Sequence, residues 1–214
     1  MIEVEYIETW GFEHAIRGMR NPMNSWDKSD STINMIQGHK VGYEVGGKDL
    51  DLMQRLYKAR HPHRKYLRQI MVSMDITAPL YWWKEFDTYK VGTTRNSCST
   101  MHKIHSKEFE REDFSYGHLS PPALHTLDYV IAELNSARAS FLDTKNKDDW
   151  WDMIQLLPSS YNQKATVTMN YENVFNILQY RQNHKLDEWN EFCEILIEYL
   201  PYVKEIGGFE NAES

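Results

Sequence analysis

Residues 69–90 read QIMVSMDITAPLYWWKEFDTYK. Gln69 to Thr77 is strand-like, and Pro79 then suits the first turn of a helix, where its missing N–H costs nothing. That helix is predicted to run through Leu80 and on to Lys90. Outward from it, residues 2–8 (IEVEYIE) alternate apolar and acidic, the period-two pattern of a half-buried strand. A short stretch ending in Arg17 and Arg20 follows. Asn21 to Lys48, rich in Asn, Ser, Asp and Gly, reads as mostly loop with a helix around Ser31 to Gln37. Asp49 to Arg60 places Leu50, Met53, Leu56 and Tyr57 on one helical face.

Beyond the helix, Gly92 and TTRNSCST read as an irregular loop, a common location for ligand contacts. Leu119 to Leu142 is predicted helical with Pro121 and Pro122 at its start, and Lys147 to Leu157 is a second helix stopped by Pro158. A short strand is placed at Ala165 to Met169. Helices follow at Tyr171 to Arg181 and Leu186 to Leu200, the latter stopped by Pro201 and carrying the stripe Leu186, Trp189, Cys193, Leu196 and Leu200. The expected fold is a helix-rich α+β single domain over residues 1–214, with a small sheet and strands clustered in the N-terminal half.

The chain has 214 residues, a net charge of -7 and 26% charged residues. That balance argues against non-specific nucleic-acid binding, which needs clustered Lys and Arg. No run of apolar residues is long enough to cross a membrane, and MIEVEYIETW lacks a secretory pattern, so the cytoplasm is the default. Two cysteines, Cys98 and Cys193, form no disulfide framework or zinc spacing. His102 and His105 lack the carboxylate or Cys company of a metal site, so no metal is expected. Seven Trp and thirteen Tyr, with Trp82-Trp83 and Trp150-Trp151 adjacent, read first as core and interface packing and second as a stacking wall for a flat heterocycle. No G-x-G-x-x-G, G-x-x-x-x-G-K-[ST] or C-x-x-C occurs.

Two segments carry a resemblance. VSMDITAPLYWWKEF, with His63 before it, resembles the H-x-[ST]-P-F-E-H, strand and A-P-[IL]-[FY] helix entry of the flavin-dependent thymidylate synthase family. Thr88-Tyr89-Lys90 then stands where that family has R-H-R. Its N-E-x-S-x-R-Y becomes Asn96-Ser97-Cys98-Ser99-Thr100-Met101-His102, of which Asn96 and Ser99 fit. NYENVFNILQYRQNHKLDEWNEF resembles the family's C-terminal segment: Asn176 and Arg181 match, Trp189 matches with a one-residue shift, and His184 lies one place from a flavin-proximal histidine. Leu156 to Pro158 resembles R-x-x-L-P, with Ile154 in the arginine's place and Gln155 beside it.

The resemblance implies FAD carrying a one-carbon unit from methylenetetrahydrofolate to a pyrimidine nucleotide, dUMP by default, with NADPH as reductant, in a homotetramer and without a protein nucleophile. It implies cofactor contacts at His63, Thr88, Tyr89, Lys90, Asn96, Asn176 and His184, and substrate contacts at Ser97, Ser99, Gln155 and Arg181. Arg181 shares a helical face with Val174 and Leu178, which calls for a ligand or a structural ion pair, since unpaired burial of charge is costly. Asn176 is expected on the opposite, polar face. His63, in the basic HPHRK run, reads from its residues alone as a surface turn. Thr88, Met101 and Ile154 leave three arginine positions of the family neutral, with Arg17, Arg20 and Arg95 as candidate replacements. The alternatives are a family-fold flavoprotein acting on another nucleotide, or a non-catalytic oligomeric binding module.

Overall fold

The computed structural model describes residues 2–209. β1 (Glu3–Trp10) leads into α1 (Phe12–Arg20); the strands β2 (Thr32–Ile36) and β3 (His39–Glu44) precede α2 (Gly47–Lys58); β4 (Met71–Pro79) runs directly into α3 (Leu80–Phe86). β5 (Thr93–Ser97) is followed by α4 (Pro121–Thr144) and α5 (Lys147–Leu156), then β6 (Asn162–Asn170), α6 (Tyr171–Arg181), α7 (Asp187–Tyr199) and α8 (Val203–Gly207). The architecture is helix-rich α+β: a four-stranded sheet of order β1-β4-β6-β5 and a separate β2-β3 ribbon. Contacts gather the described residues into two compact units. One holds 4–74, 89–94 and 167–209, the other 2–3, 75–88 and 95–166. No helix among the described residues is long and apolar enough to cross a membrane.

β4 buries Val72, Met74, Ile76 and Ala78, and β6 buries Gln163, Ala165, Val167 and Met169, so one face of each strand is sealed at every second residue. Each large apolar side chain so buried contributes roughly 1.5–3 kcal/mol. Pro79 closes β4 in extended geometry (ψ 151) and caps α3, rather than lying in its first turn. The exposed N–H groups of that turn are met by backbone: Leu80 donates to Tyr161 O and Tyr81 to Ser159 O, both at 3.0 Å. α3 also ends at Phe86, short of the expected Lys90, because the Thr88 hydroxyl donates to Glu85 O and a 3-10 turn takes over at Asp87–Tyr89.

Three further expectations are corrected. Ser31 to Gln37 is not helical: Gln37 (φ 49) and Gly38 (φ 81) both take positive φ, the geometry of a two-residue hairpin turn, and pair β2 with β3. The stretch after Gly92 is an edge strand through Ser97, prolonged by the Cys98 N–H donating to Lys164 O. The strand expected at Ala165 to Met169 is longer, Asn162–Asn170, and lies between β4 and β5.

The unit of residues 75–88 and 95–166 is built on aromatics. Trp82 and Trp83 are 0% and 2% exposed and pack on Phe86, and the Trp83 indole donates to Gln163 O at 2.9 Å, so this pair is core. Arg95 lies 4.7 Å over the Trp83 ring and pairs with Asp87. α4 and α5 close on Leu127, Leu134 and Met153, with Trp150 and Ile154 against them.

In the other unit, the Arg20 guanidinium donates to Asp49 at 2.6 Å, with side chains 5% and 0% exposed. Ser29 and Ser31 hydroxyls and the Asp30 and Ser31 N–H groups complete the carboxylate's shell, while Arg20 also donates to Ser25 O and Lys28 O. Burial alone would raise the Asp49 carboxyl; the Ser29, Ser31 and Arg20 hydrogen bonds and the Arg20 charge outweigh it and hold it below the ordinary value. Asp49→Ala strands a buried cation and is expected to destabilise by about 3–5 kcal/mol in urea unfolding. Because the folded value is depressed, the wild-type contribution is complete above the unfolded carboxylate pKa of about 4 and is lost as pH falls through the folded value. Asp49→Asn should flatten that acid-side slope; an unchanged slope counts against the assignment.

Candidate functional site

The site is assembled from the ends of one helix. α6 begins where Asn170 Oδ1 accepts the Asn173 N–H at 3.1 Å, an N-cap that stops β6 and starts the helix. Its buried face is Tyr171, Val174, Phe175, Ile177 and Leu178. Asn173, 8% exposed, turns its carboxamide onto the preceding loop: Nδ2 donates to Val91 O and to Thr93 Oγ1, each at 2.7 Å. The loop passes so close that a Cβ on Gly92 would lie 2.4 Å from the Asn170 Nδ2, and Gly92 has φ 74, so only glycine fits.

This fastening delivers Tyr89 to the other end of α6. Arg181 is its last residue and lies half-buried. Arg181 Nε donates to the Tyr89 hydroxyl at 2.9 Å, and its guanidinium carbon stands 5.7 Å over the Tyr89 ring and 4.7 Å over that of Trp189. Two ring faces and a pair of hydrogen bonds among its contacts help to set the plane of the guanidinium. The second is Arg181 Nη1 to His184 Nε2 at 3.0 Å.

Asn190 pins His184 at both backbone groups, its Oδ1 accepting the His184 N–H at 2.9 Å and its Nδ2 donating to the His184 carbonyl at 3.0 Å. Arginine only donates, so its contact needs the Nε2 lone pair, while the Leu186 N–H approaches Nδ1 at 3.2 Å and needs the other. A neutral imidazole offers one acceptor, so this ring cannot answer both donors at once. Cys193, one turn along α7 from Trp189, is buried; burial pushes its thiol up to about 12 against the lowering charge of Arg181, leaving it unreactive.

Of the residues that the resemblance singled out, the fold brings Tyr89, Arg181 and His184 together, with Trp189. Asn176 is half-buried on α6 rather than on a fully solvated face. His63 and Lys90 are exposed, His63 on the turn after Pro62 with its N–H on Arg60 O. In the other unit, Thr88, Asn96 and Gln155 are exposed and Ser97 is half-buried, while Ser99 Oγ accepts the Met101 and His102 N–H groups. Sequence reasoning missed Asn173 and Asn190. Asn170-x-x-Asn173 is legible as a cap, but nothing local says that Asn173 reaches a loop 80 residues earlier. Among the described residues no three His, Cys, Asp or Glu side chains gather as a metal site.

No family model and no curated protein sequence matches the chain. Solved structures do. The chain resembles thymidylate synthase X from Helicobacter pylori, solved with FAD and dUMP, at 18% identity and TM-score 0.68 over 97% of both chains. It also resembles the UMP/dUMP methylase PolB from Streptomyces cacaoi, solved with 5-Br dUMP, at 14% identity and TM-score 0.60 over 92% of this chain and 88% of that one. The fold is that of the flavin-dependent thymidylate synthases.

Asn173→Ala removes both hydrogen bonds to the loop and is expected to cost about 1–3 kcal/mol in urea unfolding, with hydrogen exchange accelerated at residues 89–93. Asn176→Ala should stay within about 0.5 kcal/mol of wild type. Equal effects of the two would remove Asn173 from its organising role.

Proposed function

We propose that the chain is a flavin-dependent nucleotide methyltransferase, moving a one-carbon unit from methylenetetrahydrofolate onto a pyrimidine deoxynucleotide, dUMP by default. The observation that carries this reading is Arg181, whose guanidinium is oriented by Tyr89, His184 and Trp189 in a fold whose Helicobacter pylori member was solved with FAD and dUMP. A preset guanidinium is suited to a phosphate or to the carbonyl edge of a pyrimidine, because it presents parallel N–H groups at low entropic cost. In this reading the cations Arg181 and Lys90, the imidazoles of His63 and His184 and the Asn176 amide are the donors offered to an anionic ligand with a flat ring system. Thr88, Tyr89 and Asn96 complete the proposed FAD contacts, and Ser97, Ser99 and Gln155 the nucleotide contacts. FAD supplies the redox chemistry of such a transfer and NADPH its electrons; the residues here bind and orient. The reading extends to one functional domain, a homotetramer and a cytoplasmic location.

One observation favours a second substrate within the same reading. Ile154 packs against the apolar α4–α5 cluster, so its place in the chain is given to packing and not to an anion, and Met101 carries no charge. The phosphate grip is reduced, which points to a nucleotide other than dUMP on the same flavin-binding fold. A non-catalytic binding module is the reading left if flavin does not bind.

Titration of the purified protein with FAD should give bound flavin absorbance and a raised melting temperature, since a ligand specific for the native state stabilises it. Tritium release from ring-labelled dUMP then separates the substrates: release supports dUMP, while bound flavin without release supports another nucleotide. Arg181→Lys keeps the charge but loses the fork, and should weaken nucleotide binding roughly ten- to a hundredfold. Absence of flavin uptake and of any melting shift overturns the proposal.

A further inference from the structure

A cavity of about 670 Å³ opens over the start of α1, within the range of small-molecule sites. Its walls are four rings. Phe12 and Tyr202 meet edge to face at 5.4 Å, and Phe12 is backed in the same way by Tyr171 at 5.6 Å, so the inner wall is rigid. The Tyr202 hydroxyl is held by the Val45 N–H at 3.1 Å. Trp10, 44% exposed, and Tyr43 form the rest. Two carboxylates, Glu13 and Glu205, line the same space, with His14 beside them.

The cavity already shows what it attracts. The Lys40 ammonium lies 5.6 Å over the Tyr43 ring and 2.5 Å from Glu13 Oε2. One carboxylate and one ring are thereby matched with the chain's own cation. Glu205 is the second carboxylate, and among the described residues no cation lies within ion-pair distance of it. Trp10 and Tyr202 stand at the same cavity, and among the described residues no cation lies over either ring. Ring faces attract cations through their quadrupole. An anion here would meet two carboxylates against one ammonium, and a neutral apolar guest would desolvate Glu205 with nothing in return.

We propose that this cavity is a binding site for a small organic ammonium ion, seated against Trp10 and Tyr202 with Glu205 as its counter-charge. Methylated ammonium suits it best, because such a head lacks strong hydrogen-bond donors and draws its affinity from ring faces and a diffuse counter-charge. The cavity's lining does not include Tyr89, Arg181, His184 or Trp189, and the proposal does not depend on the methyltransferase reading.

Calorimetric titration of the full chain with choline, and with its uncharged carbon analogue dimethylbutanol, tests this directly. Choline should bind saturably and the analogue at least about tenfold more weakly, the ratio expected of charge recognition by rings and a carboxylate. Glu205→Gln, at an exposed position, and Trp10→Ala should each weaken choline severalfold while the circular-dichroism melting curve stays in place. Lys40→Met removes a like charge from the cavity and should tighten it. Equal binding of the two compounds, no saturable heat with choline, or a Lys40→Met protein that binds no more tightly overturns the proposal.

Discussion

The carboxamide of Asn173 holds together two parts of the chain that have no local reason to meet. It sits in the first turn of α6, almost wholly buried, and spends its N–H groups on the carbonyl of Val91 and the hydroxyl of Thr93. Buried amides must find partners, so this is a constraint as much as an attraction: the loop can occupy few other positions without leaving donors unmet. Gly92 makes the close approach sterically feasible, and Asn170 caps the helix from beside it. With the loop fixed at the start of α6, Tyr89 is carried to Arg181 at the end, eight residues and roughly 12 Å along the helix.

Two arginines show how differently one side chain can be used. Arg20 is buried against Asp49, and that carboxylate is also met by Ser29, Ser31 and backbone N–H groups, so the cluster ties residues 25–31 to α2. Arg181 is half-buried at a helix end, oriented by a phenol, an imidazole and two ring faces. The first arrangement ties two segments together inside the fold; the second fixes the orientation of a guanidinium that stays half-buried. The aromatic residues divide in the same way. Trp82, Trp83 and Trp189 are interior, whereas Trp10 and Trp26 stay about half exposed, the former lining a cavity.

Much of this was legible from residue pattern. Strand β4 followed directly by a helix, the paired prolines opening α4, the stop at Pro158 and the stripe of Trp189, Cys193, Leu196 and Leu200 all follow from periodicity and from the φ and N–H restrictions of proline, which act within a few residues. Tyr89 and His184 stand out only through the family resemblance, and Arg181 through that resemblance and its place on an apolar helical face. The hairpin was not, because its signal lies in two consecutive positive-φ residues, Gln37 and Gly38, and glutamine rarely adopts that conformation. The strand after Gly92 was hidden for a related reason: a polar edge strand has no apolar alternation and gains its structure from pairing with β6.

What the amino-acid sequence determined by itself was therefore a set of helices and strands with known buried faces, since side-chain direction repeats with fixed local periods. Only the tertiary structure decided which polar groups meet. Asn173 finds its acceptors 80 and 82 residues away and Arg181 finds Tyr89 across 92, and no spacing rule reaches that far, because hydrogen-bond partners at such separations are set by how the whole sheet and its helices pack.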